Sequence, residues 1–163
     1  MEYEIGPADS FEALVGRYET LLYRAALAVV GNVQDAEDAV QETFLKVYEE
    51  KNPDFASAAH EKAWLIKVTV NECKNRLRSG WFRKTAPLLE TYPAGEPEQR
   101  ELLEQVMALP ASYRAVIHLY YYEGYSTAEI ARILSKKEGT VRSLMSRARE
   151  KLRKVMEEGY GAL

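Results

Sequence analysis

The chain has 163 residues, 47% of them apolar and 29% charged, with a formal net charge of −3 at neutral pH. That balance is ordinary for one globular domain or two small ones and excludes a chain that is disordered throughout. A lone cysteine, Cys73, excludes an internal disulfide, every apolar run breaks well short of a membrane span, and Met1 to Ser10 lacks the features of a signal peptide, so a cytoplasmic protein is expected.

The first periodic segment carries Phe11, Leu14, Val15, Tyr18, Leu22, Ala25, Ala26 and Val29 at helical spacing and should end at Gly31-Asn32. A second helix is predicted from near Asp35. Its apolar stripe is Val40, Phe44, Val47 and Tyr48, its outer face is acidic (Asp35, Glu37, Asp38, Glu42, Glu49, Glu50), and Asn52-Pro53-Asp54 should close it. A third helix spans about Glu61 to Ser79, after a helix-poor stretch from Asn52 to His60. Trp64, Leu65, Ile66, Val68, Val70, Cys73 and Leu77 cover much of its circumference, yet Lys67, Asn71, Lys74 and Arg78 recur on one face with Asn75 and Arg76 beside them. Between Lys62 and Lys84 there are seven Lys/Arg and one acid. A basic strip that carries amides suits unpaired bases, which are read through their polar edges.

Ser79-Gly80 and the stretch from Thr91 to Pro97 read as a helix end and a linker, dividing the chain into two lobes. Beyond the linker, Glu98 to Ala108 should be helical, and Leu109-Pro110 should start a further helix through Tyr122 whose aromatic residues pack the following pair. Ser126 can cap a short helix with Ile130, Ala131 and Leu134 on its inner side. Ser135 to Gly139 then breaks the pattern, and a long helix begins near Thr140 with Val141, Leu144, Met145, Ala148, Leu152 and Val155 on one stripe. That order is a helix-turn-helix. From Ser126 to Lys154 nine Lys/Arg face three acids in a chain that is acidic overall, so the positive charge is concentrated locally. Arg142, Ser143, Ser146 and Arg147, near the start of a helix that fits the major groove, are candidates to reach base edges. Lys136, Lys137, Arg149, Arg153 and Lys154 suit phosphates. No segment has a convincing strand period, so the fold class is all-α.

Covalent chemistry finds no support. His60 and His118 lie far apart without a Cys/His cluster, and neither a Gly-rich phosphate loop nor a nucleophile elbow is present. His118 reads as a packed helix residue and Cys73 as a small core residue. No catalytic residue, metal or cofactor is expected.

The run Asp35 to Tyr48 (DAEDAVQETFLKVY), the run Trp64 to Asn71 (WLIKVTVN), Leu109-Pro110 and the helix opening Gly139-Thr140-Val141-Arg142-Ser143 together resemble the extracytoplasmic-function (ECF) group of bacterial sigma-70-type sigma factors, in order and over nearly the whole chain. The resemblance implies two small helical domains: a sigma-2-like bundle over about residues 8–80 and a sigma-4-like helix-turn-helix domain over 98–160, joined by a linker at 81–97. It implies core RNA polymerase as partner, with Asp35, Asp38, Gln41, Glu42, Leu45, Lys46 and Glu49 on the clamp coiled coil and the sigma-4 domain also meeting the flap. Promoter DNA is the second partner. Lys67, Asn71, Lys74, Asn75 and Arg78, with the loop from Pro53 to Ala59, would melt the minus-10 element and hold its flipped base. Lys136, Lys137, Thr140, Arg142, Ser143, Ser146, Arg147 and Arg149 would read duplex minus-35 DNA. An anti-sigma factor is a further partner the family allows. Acidic Asp38, Glu42 and Glu49 suit a basic coiled coil and would repel DNA. The main rival is a dimeric helix-turn-helix regulator that reads a palindrome, which explains residues 98–163 equally well but gives the strip from Lys67 to Arg78 no role. A helical interaction module that binds no nucleic acid explains neither basic surface.

Overall fold

The computed structural model describes residues 7–8, 10–50, 54–78 and 104–160, with side chains through residue 154. Among these residues there is no strand. Helix α1 (Phe11–Val30) starts where Ser10 accepts the Ala13 N–H at 3.1 Å. It stops at Gly31, whose φ of +79° lets its N–H close on the Leu27 carbonyl at 2.9 Å. A side chain at Gly31 would also collide with Met107, whose Cε lies 2.6 Å from where a Cβ would sit.

Helix α2 (Val33–Glu49) begins two residues ahead of the expected Asp35, because Asn32 is the cap: its Oδ1 accepts the Asp35 N–H at 2.8 Å and its Nδ2 donates to Asp35 Oδ2 at 2.7 Å. Val40, Phe44 and Val47 are buried as the spacing predicts, but Tyr48 is 66% exposed and lies edge-on to the Phe11 ring. Helix α3 (Ala58–Arg78) starts earlier than Glu61, since Ser57 takes the His60 N–H on its hydroxyl and the Glu61 N–H on its carbonyl. Glu61 thereby becomes a buried carboxylate, 1% exposed. It accepts from the Tyr18 hydroxyl (2.8 Å), Arg17 (3.3 Å) and the Ala8 N–H (3.0 Å). Thr43 and Thr69 bridge α2 and α3 at 3.0 Å in an otherwise apolar layer. The three helices pack pairwise into a bundle around Leu14, Leu22, Ala26, Leu65, Ile66 and Val70.

The stop at Asn52-Pro53, the end of α3 at Ser79-Gly80, Arg83, Lys84, the linker and the start of the helix expected at Glu98 lie outside the described residues. Residues 104–108 are helical. Pro110 then opens helix α4 (Ala111–Ile117), which runs into a π-helical turn at His118–Tyr122 closed by Glu123 N–H on the His118 carbonyl at 3.1 Å. The expected single helix through Tyr122 thus widens over its last turn, and Tyr121 and Tyr122 are 61% and 64% exposed rather than packed. Helix α5 (Thr127–Leu134) and helix α6 (Glu138–Tyr160) follow, the latter starting two residues before Thr140. Ala115, Val116, Leu119, Ile130, Ile133, Val141 and Met145 form the inner layer, which is contiguous with the core of the three-helix bundle.

Between α5 and α6, Ser135 sits in the left-handed region at φ +55° while the Lys136 N–H reaches back to the Ala131 carbonyl at 2.8 Å. A Cβ in that conformation is strained, so Ser135→Gly should raise stability by about 0.5–1 kcal/mol, whereas Ser126→Ala should cost about 1 kcal/mol by removing the cap of α5; thermal or urea unfolding measures both. His118 is held below its ordinary value of 6.5 chiefly by burial, against the opposing pull of Glu123 at 3.2 Å, with Arg24 from α1 and the Tyr122 ring facing it. The unfolded chain therefore takes up a proton near pH 6.5 that the folded chain refuses, and stability should fall as pH drops from about 7 towards 5. In His118→Gln that slope should flatten over the same pH range.

Candidate nucleic-acid interface

Helix α5, its turn and α6 form the helix-turn-helix. A reciprocal capping box sets the entry: Ser126 accepts the Glu129 N–H and the Glu129 carboxylate accepts the Ser126 N–H, both at 3.1 Å. That backbone hydrogen bond holds the Glu129 carboxyl below its usual range. Burial of Val141, Met145 and Ala148 fixes the rotation of α6, and Thr140, Arg142, Ser143, Ser146, Arg147 and Arg149 are all exposed on the other side. Lys137 is exposed and Lys136 half-buried. Arg142 lies against Glu138 at 2.7 Å, and Glu138 also takes the Thr127 hydroxyl, tying the two helices together. Arg149 donates to the Tyr121 hydroxyl at 2.7 Å and lies over the Tyr120 and Tyr121 rings, an arrangement that raises its pKa. Arg142 and Arg149 are thus held in place on an exposed helix face rich in hydroxyls and guanidinium groups.

On α3 the basic strip is not uniformly open. Asn71, Asn75 and Arg78 are exposed, with Arg78 donating to Asn75 at 3.3 Å, but Lys67 and Lys74 are half-buried. Burial, then the positive charges of Lys136 and Arg78, push the Lys74 ammonium down. Beside Lys67, α5 faces α3 across a cleft of about 610 Å³ lined by Lys62, Trp64, Lys67, Tyr125, Arg132 and Ile133 among others. Lys62 lies 5.2 Å above the Tyr125 ring, and burial drives the Tyr125 phenol up to about 12. From the loop ahead of α3, Phe55 packs edge-on against His60 and Trp64. Cations interleaved with aromatic rings are what a single-stranded segment needs.

On α2, Gln41, Leu45 and Glu49 are exposed and Glu42 half-buried. Leu45, at 51% exposure, and Tyr48 make an apolar patch with an acidic rim, the composition of a protein-binding surface. Three other residues expected on this face are engaged within the bundle. Asp35 is 3% exposed and spent on the Asn32 cap, Asp38 pairs with Arg76 at 3.5 Å, and Lys46 pairs with Glu72, which raises its pKa. Sequence reasoning put Tyr48 inside and passed over Glu61 and over Arg114 of α4, which donates from Nε to the Ala28 carbonyl of α1 at 3.0 Å and from Nη2 to the Val29 carbonyl. The signal for Arg114 was its being the one Asp, Glu, Lys or Arg between Glu104 and Glu123; Glu61, flanked by His60 and Lys62, offered no such signal.

Cys73 is buried with its thiol pushed up to about 12 by desolvation, so no thiolate forms near neutrality. Among the described residues no group of His, Cys, Asp and Glu could hold a metal ion, and no helix is long and apolar enough to cross a membrane.

Residues 14–83 match the family described as Sigma-70 region 2, and residues 99–152 match Sigma-70, region 4. The ECF RNA polymerase sigma factor SigL of Mycobacterium tuberculosis is 36% identical, the alignment covering 93% of this chain and 91% of SigL. SigM of the same organism is 32% identical, over 95% of this chain and 80% of SigM. Among solved structures, the sigma factor RpoE of Bartonella quintana, in complex with the anti-sigma factor NepR, superposes with a TM-score of 0.73 at 25% identity, covering 90% of this chain and 96% of that one.

Proposed function

The chain belongs to the ECF group of sigma-70-type RNA polymerase sigma factors, and we propose how its surfaces divide the work of directing core polymerase to promoters. The sigma-2 domain occupies residues 8–80 and the sigma-4 domain 98–160, with 81–97 as linker. The exposed face of α2 around Gln41, Glu42, Leu45, Tyr48 and Glu49 docks on the polymerase clamp coiled coil. Its acidic rim sets orientation and its apolar centre supplies affinity. Asp38 and Lys46 support that face through their ion pairs with α3, and Asp35 supports it through the α2 cap. On α3, Lys67, Asn71, Lys74, Asn75 and Arg78 hold the melted strand of the minus-10 element. On α6 and the turn before it, Arg142, Ser143, Ser146 and Arg147 read minus-35 bases while Lys136, Lys137, Thr140 and Arg149 grip phosphates.

The observation that carries this reading is the separation of charge. Two cationic surfaces stand on different lobes, and a third, acidic and apolar, stands apart from both. A dimeric operator-binding regulator needs one DNA surface and leaves residues 14–83 without a task. The factor does no covalent chemistry of its own and works in the cytoplasm. An anti-sigma factor, the class of partner seen with the Bartonella RpoE, is proposed as its regulator.

Run-off transcription with bacterial core polymerase on a pool of random promoter-length duplexes should yield transcripts that share motifs near minus 10 and minus 35. Selection of a palindrome by the protein alone, without transcripts, points to the regulator instead. Arg147→Ala should weaken minus-35 recognition by about 1–3 kcal/mol and leave polymerase binding intact, whereas Glu42→Lys should do the reverse. An equal loss on both readouts for both variants contradicts the division of labour.

A further inference from the structure

A cavity of about 250 Å³ opens where the C-terminal half of α1 meets α4 and its π-helical turn. Its walls are mostly apolar, with Leu27 on α1, Met107 ahead of α4 and Ile117 at the end of α4. Arg24, Arg114 and His118 bring polar atoms to it. Burial keeps His118 uncharged near neutral pH, so the charge balance rests on the two arginines and on Glu123, which lies 3.8 Å from Arg24 and 3.2 Å from His118. Among the described residues Arg114 makes no ion pair. Besides the Ala28 and Val29 carbonyls it reaches, through Nη1, the carbonyls of Met107 at 3.1 Å and Leu109. Burial pushes its pKa down with no carboxylate to offset the loss of water. Arg24 lies over the Tyr122 ring, yet its Nε–H is buried and meets no acceptor among the described residues. The cavity therefore holds one more positive charge than Glu123 answers, together with a buried donor of the kind that folded proteins normally satisfy.

We propose that this cavity binds a small carboxylate with an apolar, ring-sized body, paired side-on with the Nε and an Nη of Arg24. Its volume lies below the range of about 300–1,000 Å³ usual for drug-sized ligands, so the occupant has roughly ten non-hydrogen atoms. A heavily hydrated anion such as free phosphate would give up its water to face mainly carbon, and the apolar walls disfavour it. A ring that carries a carboxylate loses less. Its two oxygens match the planar guanidinium fork, and its body packs on Leu27, Met107 and Ile117. The π-helical turn shapes the site. Its wider turn sets His118 and Tyr122 in a stacked pair on the cavity wall, with 5.1 Å between ring centroids, and irregular turns of this kind are frequent at functional sites. None of the residues assigned above to polymerase or DNA lines this cavity, so the site adds a small-molecule input to the chain.

Phenylacetate is a probe of that size, and phenylacetamide is its uncharged match. Titrated into the full chain and followed by methyl NMR, phenylacetate should shift the Leu27, Met107 and Ile117 signals saturably, with a Kd of about 0.1–1 mM. The methyl of Thr140, exposed on the DNA-facing side of α6, should not move. Phenylacetamide should bind about tenfold or more weakly, since it lacks the charge that the guanidinium meets. At about ten times its Kd, phenylacetate should raise the melting temperature by about 3–6 °C. Arg24→Gln should weaken phenylacetate about tenfold and bring it close to the amide. Arg24→Lys keeps the charge but removes the fork, should fall between the two, and carries the test if Arg24→Gln does not fold. The absence of a saturable shift up to about 10 mM, or equal binding of acid and amide, overturns the site. So does an unchanged phenylacetate affinity in a folded Arg24→Gln. Shifts at Thr140 in place of the cavity methyls mark anion binding on the basic face of α6 and overturn it as well.

Discussion

Nearly every part of the molecule leans on α1, and the constraint that makes this possible is that the C-terminal half of α1, from Leu21 to Val30, has no fully exposed residue. Leu14, Tyr18, Leu22, Ala26 and Val29 face α2 and α3, while its C-terminal end meets α4 and the π-helical turn. A helix enclosed on several sides must have small residues where neighbours approach and must have its terminal carbonyls satisfied from outside. Ala25 and Ala26 meet the first need, and Gly31 lets the chain turn away where Met107 closes in. Arg114 meets the second. Because these demands are met from both lobes, the apolar core is continuous across them.

Buried polar groups set the geometry within that core. Glu61 collects donors from the segment before α1 and from α1 itself, so the N-terminal parts of α1 and α3 are held at one spacing. The Thr43–Thr69 bridge does the same for α2 and α3. Groups of this kind add little net stability when paired but would cost several kcal/mol if the helices shifted register and left them unpaired, so they select one packing among the many that apolar contact alone would allow.

The functional surfaces follow from what the core leaves outside. On α6 the buried stripe leaves hydroxyls and guanidinium groups facing outward as a set. On α2 the same logic leaves Leu45 and Tyr48 outside, and exposed apolar side chains within an acidic field describe a partner that is basic and partly apolar. The π-helical turn swings Tyr121 to where Arg149 can rest on it, so one of the proposed phosphate-binding side chains is steadied by an aromatic from a different element.

Helix identity, the all-α class, the helix-turn-helix and the two basic surfaces were legible in the residue order, because each depends on local spacing: apolar positions at helical period, Ser126 before a Glu three residues on, Gly31 after a long run, charge concentrated within short windows. Boundaries were legible to within two or three residues, and they moved where a neighbouring side chain capped the helix first, as Asn32 and Ser57 do. What local spacing does not carry is which side of a partly apolar helix meets another helix. Tyr48 fits the stripe of α2 but the bundle closes one position before it, and Asp35 reads as part of an acidic face but is consumed by a cap. The partners of Glu61 and Arg114 lie at distances along the chain where no period connects them. Sequence by itself therefore determined the elements, their order and the chemistry each can present. The tertiary structure alone decided which of those groups face solvent, which are spent inside, and that the two lobes meet, because burial and long-range hydrogen bonding are properties of the packed chain.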